Sequence, residues 1–182
     1  MDVRLTRMDQ RRFDSWYPTL VDRYADHMIA SGTMPEVEAR ERATTQCASL
    51  LPTGRATLEH FLYVAHDPQD SDAGEIGNLW LWIHETSVGR SAFIYDIEVS
   101  ETQRGQGYGR ALLAAAEREC RRQGAHEVSL NVFGSNHVAR RMYETSGFEV
   151  TAVNMRKPLD PLLSGGRQTD LGELDGLDVP PG

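Results

Sequence analysis

Three glycines separated by single residues lie between a strand-like segment and a helix-like one. They are Gly105, Gly107 and Gly109, and Arg104 and Arg110 flank them. A glycine-rich turn that leads into a helix presents several unpaired backbone N–H groups beside the positive end of the helix dipole. Glycines also let phosphate oxygens approach the backbone, and guanidinium groups add charge-assisted hydrogen bonds. The loop is therefore predicted to hold a pyrophosphate.

Two common phosphate-binding motifs do not fit this loop. A Walker loop needs Gly-Lys-Ser/Thr, but the chain has no lysine before Lys157. A dinucleotide fingerprint needs glycines spaced GxGxxG and an acidic residue that closes the next strand. Here the glycines are spaced GxGxG, and the next strand-like segment, residues 127–133, has its only carboxylate at the wrong end. The spacing therefore favours a third kind of phosphate loop.

A second motif follows the loop. Residues 136–145 are predicted to form a short helix with Asn136 and Tyr143 on one face, and Gly147 and Phe148 come directly after it. The sequence RGQGYG resembles the R/Q-x-x-G-x-G/A signature of the GCN5-related N-acetyltransferases (GNAT). The run LNVFGSNHVARRMYETSGF resembles the N-x-x-A-x-x-x-Y-x-x-x-G-F pattern of the same family. The two motifs occur in the family's order and at its separation, so together they identify a resemblance to GNAT enzymes.

The resemblance implies an acetyl-CoA site and assigns residues to it. The end of the strand at residues 92–99 would offer backbone groups to the pantetheine arm, from Ile97 and Val99. Asn136 matches a polar contact to the cofactor arm, and Tyr143 matches the proton donor to the departing CoA thiolate. The pyrophosphate would be held by the loop residues Arg104, Gly105, Gln106, Gly107, Tyr108, Gly109 and Arg110. Two of these assignments have structural alternatives: Asn136 could cap its helix, and Tyr143 could be a core aromatic residue.

The reaction that the resemblance implies needs a base and an oxyanion donor. An alkyl amine has a pKa near about 10 and is almost wholly protonated at pH 7, so it must lose a proton before it attacks. Glu98 is the candidate base, either directly or through water, although a structural ion pair would equally explain a carboxylate there. Asp96, on the same strand face by the period of two, and Tyr95, on the other face, are alternatives. The backbone N–H of Val99 is the candidate donor to the developing negative charge on the thioester oxygen.

The sequence thus predicts an acetyl-CoA-dependent N-acetyltransferase that acts on a primary amine by direct attack in a ternary complex. The acceptor is a small-molecule or protein amine whose identity the sequence does not encode. A transferase with another acyl-CoA donor and a non-catalytic acyl-CoA sensor are the alternatives. Cys120 is predicted to face the core, which argues against a covalent acetyl-cysteine intermediate. Trp80 and Trp82 are interpreted as core residues, and Glu75, Glu85 and His84 as surface residues at strand ends.

The family fold is of the α/β (α+β) class: one domain with a mixed, splayed sheet of about six to seven strands, flanked by about four helices. The resemblance covers about residues 3–159, with its motifs in residues 92–157. Residues 1–159 are predicted to form the domain, and residues 160–182 an acidic, Gly/Pro-rich disordered tail. Hydrophobic periodicity predicts helices at 9–31, 35–51, between Gly109 and Gly124, and at 136–145. It predicts strands at 3–6, 61–66, 76–84, 92–99, 127–133 and from Phe148 to Lys157.

Composition and charge limit the partners. The 182 residues include 19 basic and 27 acidic side chains, a net charge of −8. Such a balance disfavours nucleic acid and anionic membranes as partners. The charge is uneven: residues 101–159 carry a net +3, which suits a polyanionic cofactor, and residues 61–100 carry −6. The acidic segment suggests, as a hypothesis, a cationic acceptor.

The remaining expectations rest on features that the sequence lacks. Cys47 and Cys120 are the only cysteines, and neither they nor the six histidines have a metal-ligand spacing. No run of about 18 apolar residues and no leader-like segment is present. We therefore expect no metal, no membrane span and a cytoplasmic location. The assembly is expected to be a monomer or a homodimer.

Overall fold

Five strands and four α-helices follow one another in the described part of the chain. The computed structural model describes residues 1–30, 34–69, 74–155, 157 and 159. The chain divides into two units, Met1–Phe148 and Glu149–Gly182, and all the described helices and strands lie in the first. In order they are β1 (Arg4–Arg7), α1 (Gln10–Ala30), α2 (Glu36–Leu50), β2 (His60–His66), β3 (Glu75–Thr86), β4 (Gly89–Val99), α3 (Tyr108–Arg122), β5 (Glu127–Leu130) and α4 (His137–Glu144). Two short 3-10 turns, Gly54–Ala56 and Glu101–Gln103, precede β2 and α3.

The strands form one mixed sheet in the order β1-β2-β3-β4-β5. The pairs from β1 to β4 are antiparallel, and β4 and β5 are parallel. The predicted mixed α+β fold with four flanking helices is confirmed. The strand number is lower than predicted, with five strands in the described residues instead of six to seven.

The strand predicted from Phe148 to Lys157 accounts for part of the difference in strand number. Residues 149–155 and residue 157 have no regular secondary structure. The alternating sequence EVTAVNM has the composition of a strand, but β-propensity is weak without a neighbouring strand to receive the backbone hydrogen bonds. That prediction is therefore wrong for the described residues. The predicted tail, residues 160–182, lies outside the described residues.

The sheet separates two apolar cores. On one face, α3 packs through Leu112, Leu113 and Cys120, and Tyr143 of α4 joins the same core. On the other face, α1 presents an apolar stripe, in which Phe13, Trp16 and Leu20 are buried. Trp80 of β3 is fully buried beneath that stripe and meets Trp16 edge-to-face at 6.0 Å between ring centroids. The helix α1 is thereby fixed over the middle of the sheet.

A β-bulge in β4 changes the direction of one predicted side chain. Trp80 is paired with Asp96, but the next residue, Leu81, is paired with Ile94, so that Tyr95 is an extra residue in β4. An extra residue interrupts the alternation of side chains. Tyr95 stacks on Trp80 at 4.6 Å between centroids, on the same side of the sheet as Asp96, which binds Arg23 of α1. The expectation that Tyr95 and Asp96 lie on opposite faces is therefore wrong.

Gly77 of β3 lies against the backbone of the last residues of β4. A β-carbon built on Gly77 would lie 2.0 Å from the backbone oxygen of Glu98 and 3.2 Å from Cα of Val99. Both contacts are with backbone, which cannot move aside without separating the strands. Gly77 therefore fixes the position of the last residues of β4.

The variant Gly77→Ala is expected to lower the free energy of unfolding by about 3 kcal/mol, because overpacking against backbone forces the two strands apart. Urea denaturation at equilibrium measures this change. The matched control is Gly134→Ala, since a β-carbon at Gly134 has nothing within 4 Å and its φ is ordinary. Equal stability of the two variants would show that the close approach has no energetic importance.

Two further observations concern the described residues as a set. Among residues 1–30, 34–69 and 74–155, no helix is long and apolar enough to cross a membrane. The same residues contain no cluster of three or more His, Cys, Asp or Glu side chains that could hold a metal ion.

Candidate active site

The sheet opens between β4 and β5. The two strands pair only from Ser91 to Ile94 on β4, opposite Glu127 to Leu130 on β5, while β4 continues through Val99. The bulge at Tyr95 begins directly after the last pair, and a bulge bends and twists its strand. Five residues of β4, about 16 Å of strand at about 3.3 Å per residue, thus have no partner on this edge in the described residues.

Two residues of β4 direct their backbone groups toward this open edge. The N–H of Ser100 donates to the carbonyl of Ile76 at 2.9 Å, so this pair is the hydrogen-bonded type in the ladder with β3. Hydrogen-bonded and non-hydrogen-bonded pairs alternate in an antiparallel ladder. Val99, paired with Gly77, and Ile97, paired with Leu79, therefore direct their N–H and C=O groups away from β3. They are the residues to which the sequence assigned backbone contacts with a cofactor arm.

The open edge leads to the N-terminus of α3. Gly105 and Gly107 have φ values of 77° and 91°, in the left-handed region that favours glycine. Gly107 is the N-cap of α3 and provides no side chain to bind the first N–H groups of the helix. This is the backbone geometry expected of an anion-binding helix terminus.

The other loop residues have partners of their own. Tyr108 is buried and its hydroxyl donates to the carboxylate of Asp67 at 2.6 Å, so only its backbone N–H can face a ligand. The amide of Gln106 donates to the carbonyl of Thr102 at 3.2 Å. Arg110 donates to the hydroxyl of Thr145 at 3.0 Å, which ties α3 to the end of α4. A β-carbon at Gly109 would come within 3.1 Å of Sδ of Met142, so this glycine allows α3 and α4 to pack closely.

Asn136 is confirmed as a helix cap. Its side-chain oxygen accepts a hydrogen bond from the backbone N–H of Ala139 at 3.1 Å, at the first turn of α4. A cap of this kind stabilises a helix by about 1 kcal/mol. The contact with a cofactor arm stays a prediction.

Tyr143 lies on the core-facing side of α4. Its side chain is buried, with its ring centroid 5.6 Å from that of Phe148. Burial raises the pKa of the Tyr143 hydroxyl, and the negative charge of Asp96 raises it further.

The carboxylates of Asp96 and Glu98 share an arginine that the sequence did not identify. Arg23 of α1 donates to Asp96 at 3.0 Å and also binds Glu98. Arg104 binds the other oxygen of Glu98 at 3.3 Å and the carbonyl of Val99 at 3.1 Å. The structural ion pair considered for Glu98 is thus present. Arg23 lies in α1 and belongs to neither sequence motif. Its pairing with the two carboxylates is therefore visible only in the three-dimensional structure.

Aromatic side chains line the same side of the sheet next to the bulge. Trp80 is fully buried, as predicted, and its indole N–H donates to Nδ1 of His60 at 2.8 Å. Trp82 is only partly buried and stacks on His84 with centroids 3.9 Å apart. The interpretation as core holds for Trp80, whereas Trp82 and Tyr95 are only partly buried, with their ring centroids 6.2 Å apart.

Four described carboxylates of the acidic segment form ion pairs. Glu75 binds Arg12, and Glu85 accepts from Arg90 at 2.7 Å. Asp96 and Glu98 share Arg23, as described above. Arg12 and Arg23 lie outside the acidic segment 61–100. A count of net charge by segment therefore overstates the negative electrostatic potential at the site. The hypothesis of a cationic acceptor therefore does not follow from the segment charge alone and stays a prediction.

Comparison with known proteins agrees with this geometry. Residues 55–148 match the family model described as Acetyltransferase (GNAT) family. The chain is 34% identical to the uncharacterized N-acetyltransferase YycN of Bacillus subtilis over 161 residues, which are 87% of this chain and all of that protein. The solved structure of YycN superposes with a TM-score of 0.81 at 32% identity, covering 86% of this chain and 98% of that one. A mycothiol acetyltransferase of Beutenbergia cavernae is 37% identical over 93 residues, 51% of this chain and 30% of that protein.

The mixed sheet and these matches define an acetyltransferase fold. The chain belongs to the GNAT family of acetyltransferases.

Proposed function

We propose that this chain transfers an acetyl group from acetyl-CoA to a primary amine by direct attack in a ternary complex. The open edge of β4 carries the proposal, because it runs from the glycine loop at α3 to the bulge at Tyr95. A pantetheine arm contains amide groups that can pair with a strand edge as an added strand would. The loop would then hold the pyrophosphate and the edge would hold the arm.

The proposed cofactor contacts come from backbone. Ile97 and Val99 would pair with the arm through the N–H and C=O groups that they direct away from β3. Gly105, Gly107 and the first N–H groups of α3 would face the phosphates. Arg104 and Arg110 would add charge once their present partners, the groups of Val99, Glu98 and Thr145, are exchanged for phosphate oxygens.

Acetyl-CoA supplies an activated thioester, and the chain must supply proton transfer and charge stabilisation. Glu98 is the proposed base, either directly or through a water molecule, and Asp96 and Tyr95 are its alternatives. The position of Glu98 supports this assignment, because its side chain lies on the side of the sheet that faces α1 and is about one quarter exposed. The N–H of Val99, directed at the open edge, is the proposed donor to negative charge that develops on the carbonyl oxygen.

Tyr143 is the proposed proton donor to the leaving thiolate. A free thiol has a pKa of about 8.5, so a thiolate released at pH 7 gains from protonation. Burial and, to a smaller extent, the charge of Asp96 raise the pKa of Tyr143, so that the hydroxyl keeps its proton at neutral pH. Within the described residues no hydrogen bond occupies this hydroxyl, which leaves the proton available.

Both cysteines are unsuited to a covalent acetyl intermediate. Cys47 and Cys120 are buried free thiols. Burial raises the pKa of each to about 11, so that neither is a thiolate at neutral pH. Direct transfer from cofactor to amine is therefore preferred.

The proposal is tested by following release of the CoA thiol from acetyl-CoA in the presence of a broad panel of small-molecule amines and peptide amines. We expect at least one amine to accelerate release well above the rate without an acceptor. Binding of acetyl-CoA without turnover across the panel would favour the sensor, and preference for a longer acyl chain would favour another donor.

The variant Tyr143→Phe is expected to lower kcat by about 100-fold, the lower range for loss of a general acid, with little change in the KM for acetyl-CoA. Steady-state kinetics with the best amine of the panel measure both constants. Tyr17→Phe is the matched control, because Tyr17 is a partly buried tyrosine that packs on Phe13 in α1 and belongs to the other core, not to that of Tyr143. An unchanged kcat in Tyr143→Phe would exclude the role of proton donor.

A further inference from the structure

The side chain of Arg104 lies along the open edge of β4. Its Nε donates to the carbonyl of Val99 at 3.1 Å, and its Nη2 lies 3.3 Å from Oε1 of Glu98. A weaker contact at 3.6 Å joins it to the exposed carboxylate of Glu101. Arg104 therefore covers a backbone group that faces the open edge and one oxygen of the candidate base.

The second oxygen of Glu98 is held from the opposite side. Arg23 reaches it from α1 and binds Asp96 with the same guanidinium group. Burial alone would lower the pKa of Arg23, but the charges of Asp96 and Glu98 outweigh it and raise the pKa. A continuous series of alternating charges thus joins the glycine loop to α1 through Arg104, Glu98, Arg23 and Asp96.

The two arginines differ in exposure. The side chain of Arg104 is 54% exposed, whereas that of Arg23 is 26% exposed. Exposed ion pairs contribute little, because water and salt screen them. Arg104 is consequently the partner that Glu98 can lose more easily, and a phosphate offers a guanidinium group stronger, bidentate hydrogen bonds than one carboxylate oxygen does.

We propose that Arg104 exchanges the Val99 carbonyl and Glu98 for the cofactor phosphates, and that Arg23 is the positioning residue that holds Glu98 and Asp96 in place after the exchange. This inference rests on the proposed use of CoA. Binding of the cofactor then uncovers the open edge and frees Oε1 of Glu98 to accept a proton. The base becomes available only when the acyl donor is present.

The affinity for CoA alone tests the exchange without knowledge of the acceptor. In Glu98→Gln, Arg104 loses its competing charge, so the Kd for CoA is expected to fall by about threefold, the scale of one partly exposed ion pair. In Arg23→Gln, Glu98 depends on Arg104 alone, so the Kd is expected to rise by a similar factor. Arg23→Lys, which keeps the charge, is expected to lie between Arg23→Gln and the wild type. Isothermal titration calorimetry measures all four proteins.

Glu98→Gln and Arg23→Gln, each combined with Arg104→Gln, distinguish an exchange of partners by Arg104 from a long-range effect of charge on CoA binding. If Arg104 mediates the effects, both changes in Kd disappear in that background. If the substitutions act only through long-range charge, both changes persist, which overturns the inference. The change in Kd caused by Glu98→Gln, measured with and without Arg104→Gln, decides between the two explanations even if Arg23→Gln does not fold.

Two matched controls accompany these variants. Glu101→Gln removes the exposed, weaker partner of Arg104, and Arg12→Gln removes another ion-paired charge from α1. Each is expected to change the Kd for CoA by less than about twofold. A larger effect of Glu101→Gln than of Glu98→Gln would contradict the inference. Absence of CoA binding by the wild type would contradict the proposed function itself, whereas binding with an unchanged Kd in Glu98→Gln would overturn only the exchange.

Discussion

The site depends on the different lengths over which β4 pairs with its two neighbours. On one side β4 is paired with β3 from Gly89 to Val99, and on the other with β5 from Ser91 to Ile94 only. The extra residue at Tyr95 turns the strand away from β5 directly after the last pair. Gly77 keeps the end of β4 tightly against β3 while the opposite edge opens. In the described residues, the unpaired edge of β4 thus lies beside the N-terminus of α3, and an extended ligand can pair with this edge.

The same edge brings together groups that are distant in sequence. Arg23 comes from the first long helix, Glu98 from the fourth strand and Arg104 from the loop that follows it. Their ion pairs neutralise most of the acidic charge near the bulge. Partly buried aromatic rings, among them Tyr95 and Trp82, lie next to these ion pairs.

The sequence predicted the features that depend on local pattern. Glycine spacing located the loop at Gly105 and Gly107, hydrophobic periodicity located α1, and the order of the two motifs identified the family. The bulge at Tyr95 was not predicted, because it results from the register between β3 and β4, which alternation within one strand does not contain. Arg23 was not predicted either, because its role follows from the placement of α1 across the sheet. The expected last strand was wrong since strand composition does not supply a pairing partner.

The central claim is that the open edge of β4 receives the cofactor arm as an added strand. Amide hydrogen exchange at single residues, measured by NMR with and without CoA, tests it most directly. The amides of Ile97 and Val99 are expected to become protected from exchange when CoA is added, while that of Glu98, already paired with β3, changes little. Binding of CoA with no added protection at Ile97 and Val99 would contradict the account.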